Sequence, residues 1–161
     1  MILHAGLIAA FRGGRWRGVL IEGASGAGKS DLALRCLDRG FRLVADDRVT
    51  LWTSGGRLYG RAPETLAGRI EVRGLDVVAE PALAWSGVDL AVRCGTPQRI
   101  SERALVTHLG LSLPLITLAP LESSAPVKLS RALQHLGGGQ EGAYLGDLAA
   151  GVSPPPGGDS R

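Results

Sequence analysis

Short apolar runs, separated by turns that are rich in glycine, follow one another along most of the chain. Their lengths and boundaries predict strands at residues 18–21, 41–45, 88–94 and 113–118. The last of these is compatible with a sheet edge because it contains Pro114. Two hairpins are also predicted: residues 12–17 connect the loosely alternating segment 1–11 to the first strand, and residues 48–59 turn at 54–56.

Two segments carry helical signals. Residues 31–37 predict a helix that ends near Arg39, since Gly40 stands where a left-handed residue would follow the helix. Residues 126–136 predict a second helix with Ser124 as a candidate N-cap and Gly137 beyond its end. Strands therefore outnumber helices, and the fold class is α/β, a mixed sheet with few helices.

Charged and apolar residues alternate over residues 70–78, before a further apolar strand. Glu71 and Arg73 would point the same way on a strand. Their spacing alone favours a solvated cross-strand ion pair.

A phosphate-binding loop is the clearest motif, because residues 23–30 match G-x-x-x-x-G-K-[ST] between a predicted strand and a predicted helix. Glycine lets the backbone approach a phosphate closely, so that N–H groups and the helix N-terminus can face its oxygens. A lysine in the last turn of the loop reaches the β- and γ-phosphates, and the following serine binds Mg²⁺. The candidate nucleotide-binding residues are Gly23, Ala24, Ser25, Gly26, Ala27, Gly28, Lys29 and Ser30.

Two adjacent carboxylates, Asp46 and Asp47, end the strand predicted at residues 41–45. Such a pair is costly to ionise unless a cation neutralises it or a proton is shared. In a strand–loop–helix–strand unit the end of the second strand can lie beside the phosphate loop. We therefore expect the pair either to bind Mg²⁺ or to share a proton near a γ-phosphate, rather than to form an Asp-Asp turn.

Composition limits the number of domains and the class of anionic partner. With 161 residues, of which 45% are hydrophobic, the chain is long enough for one domain, expected over residues 1–136. Residues 137–161 are rich in glycine and proline and are expected to be disordered at the end. A net charge of +3 from scattered basic residues favours a nucleotide over a nucleic acid as the anionic partner.

Cysteine usage and hydropathy indicate where in the cell the protein is expected to be. Cys36 and Cys94 have no metal-ligand spacing, and no signal peptide is recognised before them. No apolar run approaches the ~20 residues that span a bilayer. The chain is therefore expected to be soluble and cytoplasmic, with free buried thiols and without a membrane partner.

Taken together, these residues resemble a known family, the bacterial HPr kinase/phosphorylase, and specifically a short form that consists of its C-terminal catalytic domain. The resemblance extends over roughly residues 1–135 and is strongest from 18 to 78. The segments that carry it are 23–31, 39–49, Ala62-Pro63 and Glu71-Val72-Arg73-Gly74-Leu75.

The resemblance implies an ATP- and Mg²⁺-dependent kinase that phosphorylates a serine of HPr, a phosphocarrier protein of the sugar phosphotransferase system. It also implies removal of that phosphate by inorganic phosphate, which gives pyrophosphate. Lys29 and the loop would bind phosphate, while Ser30 and Glu71, supported by Asp46, would bind Mg²⁺. Asp47 would accept the serine proton and return it in the reverse direction.

Further site residues follow from the same resemblance. His4 matches a histidine that contacts phosphate, and Arg73 becomes a site residue together with Glu71. Arg103 stands near the place of a catalytic arginine, and Arg99 is close enough to compete for that role. The longer relatives are hexamers, so a homo-oligomer is expected.

The chain also departs from the family pattern. Asp76 replaces a small residue, and residues 119–124, Ala-Pro-Leu-Glu-Ser-Ser, stand where a basic loop linked to dephosphorylation would follow Ile116-Thr117. Kinase activity is therefore favoured over phosphorolysis.

Two other functions remain compatible with the sequence. One is a P-loop kinase of a small metabolite, because a fold does not choose its acceptor. The other is a nucleotide-sensing regulatory protein with little turnover, although binding alone requires fewer acidic residues than Asp46, Asp47 and Glu71.

Overall fold

The computed structural model describes residues 1–97 and 104–137. These residues form a nine-stranded mixed sheet, a separate two-stranded sheet and two α-helices. In chain order the elements are β1 (Ile2–Leu3), β2 (Ala5–Arg12), β3 (Arg15–Glu22), α1 (Lys29–Leu37), β4 (Arg42–Ala45), β5 (Val49–Ser54), β6 (Arg57–Arg61), a 3-10 turn (Glu64–Leu66), β7 (Arg69–Val72), β8 (Asp76–Ala79), β9 (Ser86–Cys94), β10 (Ala104–His108), β11 (Leu111–Leu118) and α2 (Ala125–Leu136).

The strand that precedes the phosphate loop, β3, lies inside the large sheet. It pairs antiparallel with β2 on one side and parallel with β9 on the other. β4 pairs with the edge of β2 that does not face β3. The edge of β9 that does not face β3 pairs with β6 at the first residues of β9 and with β11 at its last residues. Because β3, β9 and β11 run parallel, their carboxyl ends meet at one edge of the sheet, where the phosphate loop begins.

Each face of the large sheet covers its own hydrophobic core. On one face, α1 and α2 bury side chains such as Leu32 and Leu129 against Ile21 and Val92. On the other face, the β5–β6 hairpin packs Leu51 and neighbouring side chains against β2 and β3. Since both faces of β3 are covered, its apolar run is continuous rather than alternating, as expected of a fully buried strand.

Most predicted elements are confirmed. The hairpin connection between β2 and β3 turns at Gly13 and Gly14, whose φ angles of 61° and 82° suit a tight two-residue turn. The β5–β6 hairpin turns at Gly55 and Gly56. Helix α1 ends at Leu37, and Gly40 has the expected left-handed backbone with φ 91°. The α/β mixed sheet with few helices is likewise confirmed.

Two local predictions are wrong. β11 is not at an edge, because it pairs with β10 over residues 111–115 and with β9 over residues 115–118. Pro114 is tolerated because it precedes the first residue that pairs with β9. Arg73 lies in the turn between β7 and β8 rather than on a strand with Glu71. Ser124 is the N-cap residue of α2, as predicted, although its side chain makes no capping hydrogen bond.

Some predictions concern parts of the chain outside the described residues. These are the polar connection at 98–103, with Arg99 and Arg103, and residues 138–161 of the glycine- and proline-rich segment. Both cysteines are free and buried, as expected. Among the helices of the described ranges, none combines the length and apolar character required to cross a bilayer.

Candidate functional site

The phosphate loop, residues 23–30, connects the end of β3 to the start of α1. Gly26 and Gly28 have φ angles of 79° and 103°, a left-handed backbone that side chains with a Cβ rarely adopt. Gly28 is the N-cap of α1 and makes no side-chain capping bond. The first N–H groups of the helix therefore keep their capacity to bind an anion, and the helix dipole favours a negative charge at this end.

The side chain of Lys29 folds back along the loop. Its Nζ donates hydrogen bonds to the backbone oxygens of Gly23 and Ala24, both at 2.9 Å. The residue is only 8% exposed, so its stem is packed and its ammonium group is directed into the concave side of the loop. This geometry places one positive charge beside the N-terminus of α1.

Asp46 lies directly behind the loop. The hydroxyl of Ser30 donates to Oδ1 of Asp46 at 2.7 Å, and the backbone N–H of Glu71 donates to Oδ2 at 3.0 Å. The carboxylate is 7% exposed and has both oxygens hydrogen-bonded within the protein. Asp46 thus fixes the orientation of Ser30 and ties the β7 strand to the start of α1.

Asp47, the second carboxylate, is placed differently from its neighbour. Its backbone is left-handed, with φ 71°, although it is not a glycine. Its Oδ1 lies 2.9 Å from Nε2 of His4, and its Oδ2 forms an ion pair with Arg48 at 3.5 Å. The side chain is 56% exposed, so one of the two acids faces solvent while the other is enclosed.

One open pocket of about 240 Å³ collects most of the predicted site residues. His4 and Asp47 lie on one part of its wall, and Glu71 and Arg73 reach it from the small two-stranded sheet. Both of the latter side chains are exposed and border the phosphate loop, where the family resemblance implies site residues. The lining residues are His4, Ser25, Gly26, Gly28, Lys29, Ser30, Asp31, Asp47, Glu71 and Arg73.

The available oxygen donors can be compared with what Mg²⁺ requires. No cluster of three or more His, Cys, Asp or Glu side chains suited to a metal occurs within residues 1–97 and 104–137. Mg²⁺ in nucleotide sites is usually bound through one or two carboxylates together with phosphates and water. The hydroxyl of Ser30 and the carboxylate of Glu71, which line one pocket with the phosphate loop, fit that requirement.

Sequence reasoning considered residues 119–124 only for the basic side chains that they lack. It missed that the segment 119–122, which follows β11, covers one side of the phosphate loop. A Cβ added to Gly28 would lie 3.2 Å from Pro120 Cγ and 3.3 Å from Leu121 Cδ2. Arg35 of α1 donates to the backbone oxygens of Pro120 and Glu122, the latter at 3.1 Å, and also to Asp31. Only the i, i+4 spacing of Asp31 and Arg35 was visible in the sequence, and it carries no information about a distant loop.

Comparisons with known proteins show what part of the chain is similar to. Residues 3–82 match a family model described as the HPr Serine kinase C-terminal domain. The HPr kinase/phosphorylase of Clostridium tetani is 48% identical over 66 residues, which are 41% of this chain and 22% of that protein. The HPr kinase/phosphorylase of Brevibacillus brevis is 52% identical over 62 residues, 38% of this chain and 20% of that protein. The match thus spans about a fifth of the length of these curated relatives.

The fold of this chain is also similar to that of a solved structure. The HPr(Ser) kinase/phosphatase from Coxiella burnetii superimposes with a TM-score of 0.70 at 24% sequence identity. The alignment covers 83% of this chain and 93% of that one. Its fold is therefore shared well beyond the segment that the family model matches.

Proposed function

Because this chain is related to the HPr kinase C-terminal domain over residues 3–82, we propose that it transfers the γ-phosphate of ATP to a serine hydroxyl of HPr. One observation carries this proposal. An exposed carboxylate, Asp47, lies in the same pocket as the Lys29 ammonium group and the open N-terminus of α1. A phosphate donor and a proton acceptor can therefore meet there.

The donor side of the reaction rests on the phosphate loop. Backbone N–H groups at the start of α1 and the ammonium group of Lys29 would bind the β- and γ-phosphates and offset charge that develops during transfer. Mg²⁺, when bound through Ser30 and Glu71, would supply further neutralisation of phosphate charge. Asp46 would accept the hydroxyl proton of Ser30, as it does at 2.7 Å, and would leave an oxygen lone pair of Ser30 free to bind the metal.

The acceptor side rests on Asp47. Its carboxylate would accept the proton of the attacking serine hydroxyl, and its exposure suits a substrate that is itself a protein surface. His4 would hold the carboxylate in place through the 2.9 Å contact. In the reverse direction, inorganic phosphate would attack phosphoserine, the serine oxygen would regain its proton from Asp47, and pyrophosphate would leave. We expect this direction to be the minor one, because residues 119–124 carry no basic side chain.

Labelled ATP and purified HPr provide the test. We expect the wild-type chain to label a serine of HPr, and Asp47→Asn to lower the transfer rate by roughly 10²- to 10⁴-fold while nucleotide binding persists. Lys29→Ala should abolish both binding and transfer. Asp38→Asn is the matched control, because Asp38 is an exposed carboxylate at the end of α1 and does not line the pocket.

Nucleotide binding without any transfer to HPr would contradict this proposal. Transfer to a small metabolite instead would identify the chain as a kinase with another acceptor. Binding with no turnover on either acceptor class would favour a nucleotide-sensing role.

A further inference from the structure

Three aromatic side chains lie together on the outer surface of the β5–β6 hairpin. Trp52 and Tyr59 are paired across the hairpin, and their rings stack with centroids 5.8 Å apart and an interplanar angle of 21°. Trp85, directly before β9, meets the ring of Tyr59 edge-on at 5.7 Å. Trp85 is 56% exposed, so this set of three rings, the aromatic ladder, faces solvent.

The helices and the hydrogen bonds of the described residues leave the aromatic ladder available to a ligand. The core beneath α1 and α2 contains no side chain of β5 or β6 within the described part of the chain. Within residues 1–97 and 104–137, no hydrogen bond involves the two indole N–H groups or the phenol hydroxyl of the ladder. Tryptophan and tyrosine combine a large apolar ring with a polar group that can donate a hydrogen bond. The ladder therefore has three donors beside its apolar faces.

This chemistry suits a segment rich in proline. Proline-rich segments bind in grooves lined with aromatic side chains, and the polyproline II helix leaves all its backbone carbonyl oxygens free to accept hydrogen bonds. One turn of that helix takes three residues and rises ~9 Å. The ladder has a similar length, since its successive ring centroids are 5.8 and 5.7 Å apart. Three consecutive prolines thus match both its length and its donors.

The chain itself contains such a segment. Residues 154–156 are three consecutive prolines, and they lie outside the described residues. Residues 138–153 connect them to Gly137, which follows α2. A fully extended connection of this length spans up to ~55 Å.

Helix α2 and the aromatic ladder are close to the same end of the large sheet. Arg12, at the end of β2, donates hydrogen bonds to the backbone oxygen and to Oγ of Ser130 in α2, at 3.1 and 2.7 Å. Arg17, on the adjacent strand β3, is paired with Gly87, which in turn is paired with Tyr59. Neighbouring strands are ~4.8 Å apart, so Tyr59 lies only two strands, or ~10 Å, from β3. The connection is therefore long enough to bring the prolines to the ladder.

We propose that the aromatic ladder binds residues 154–156 of the same chain as a polyproline II helix. The rings of Trp52, Tyr59 and Trp85 would pack against proline rings, and their donors would bind carbonyl oxygens of the segment. The ladder lies near the start of β3, whereas the phosphate loop follows its end. The inference is therefore independent of the proposed function.

The indole N–H signals of the full chain in NMR spectra provide the test, because the chain has three tryptophans. The substitutions Pro154→Ala, Pro155→Ala and Pro156→Ala are combined in one triple variant. Compared with the wild type, the triple variant should show shifted signals for Trp52 and Trp85, which would lose hydrogen bonds and ring contacts. The signal of Trp16, which packs on Phe11 rather than in the ladder, should not move. Gly157→Ala keeps all three prolines and should leave every indole signal unchanged.

A peptide of residues 151–161 tests the same contact from the side of the segment. It should bind the triple variant and return the Trp52 signal to its wild-type position. It should bind the wild type about threefold less tightly or weaker still, because the tethered segment competes at an effective concentration of order mM. Trp85→Leu should abolish the peptide-induced shift of Trp52. Phe11→Leu is the matched control, because Phe11 is an aromatic residue that is 59% exposed and lies outside the ladder.

Several results would overturn the inference. Identical indole signals in the wild type and the triple variant would show that the prolines do not reach the ladder. A difference that disappears on dilution would show that a second copy supplies the segment. Peptide binding that survives Trp85→Leu would show that the prolines bind elsewhere. Equal shifts of the ladder signals by oligothymidylate in both proteins, without any effect of the peptide, would identify a surface for single-stranded nucleic acid instead.

Discussion

At the scale of single residues, the neighbouring carboxylates of Asp46 and Asp47 lie in different environments. Asp46 has both carboxylate oxygens enclosed by hydrogen bonds, whereas Asp47 projects toward solvent and His4. The backbone of Asp47 is also left-handed, with φ 71°. Aspartate tolerates this conformation better than most residues, but it still costs free energy.

The strain at Asp47 can be measured by removing its side chain in two ways. Asp47→Gly and Asp47→Ala both lose the contact with His4, but only glycine adopts φ 71° without a Cβ clash. We expect Asp47→Gly to be more stable than Asp47→Ala by about 0.5–1 kcal/mol, because the relief exceeds the greater unfolded-state entropy of glycine. Urea unfolding measures the difference, and equal stabilities would show that the backbone is relaxed.

At the scale of elements, the contact between α1 and the segment 119–122 is the feature that the sequence did not indicate. Arg35 stands one helical turn after Asp31, and its guanidinium group reaches backbone oxygens more than eighty positions later in the chain. Glycine at position 28 permits the close approach of Pro120 and Leu121. The phosphate loop is thus supported by a segment that follows a different strand.

Replacing Arg35 tests whether this contact holds the segment in place. Arg35→Ala removes charge-assisted hydrogen bonds to Pro120 and Glu122. We expect the backbone N–H groups of Ala119, Leu121 and Glu122 to exchange with solvent about tenfold faster or more, since such bonds contribute about 1.5–3 kcal/mol. Hydrogen exchange followed by mass spectrometry provides the measurement. Arg39→Ala, an exposed arginine just beyond the same helix, should leave that segment unchanged.

At the scale of the whole molecule, the position of β3 inside the large sheet brings the site together. The end of β4 reaches the phosphate loop from beyond β2, and the ends of β9 and β11 reach it from the other side. The pairing of β3 with β9 contains an irregularity between Gly18 and Val19, where the two backbones come unusually close. A Cβ at Gly18 would collide with the carbonyl group of Gly87.

Gly18→Ala should therefore destabilise the entire domain. Since the colliding group is backbone, the strands would have to separate, and we expect a loss of about 2–3 kcal/mol in the free energy of unfolding. Gly6→Ala is the matched control in the adjacent strand β2, where the nearest atom to an added Cβ is 3.7 Å away. Thermal and urea unfolding should leave that control close to the wild type. A Gly18→Ala protein of wild-type stability would contradict the close approach of β3 and β9.

The sequence by itself determined the local features of this protein. Apolar runs, glycine turns and the phosphate-loop motif depend on neighbouring residues, and for that reason β3, α1, the hairpins and the acidic pair could be predicted. The tertiary structure alone decided that β11 lies inside the sheet, that Arg73 stands in a turn facing the loop, and that Asp46 orients Ser30. It also decided that Leu121 forms an apolar wall beside Gly28. These features arise from contacts between distant segments, whose geometry depends on strand order and on the packing of both sheet faces.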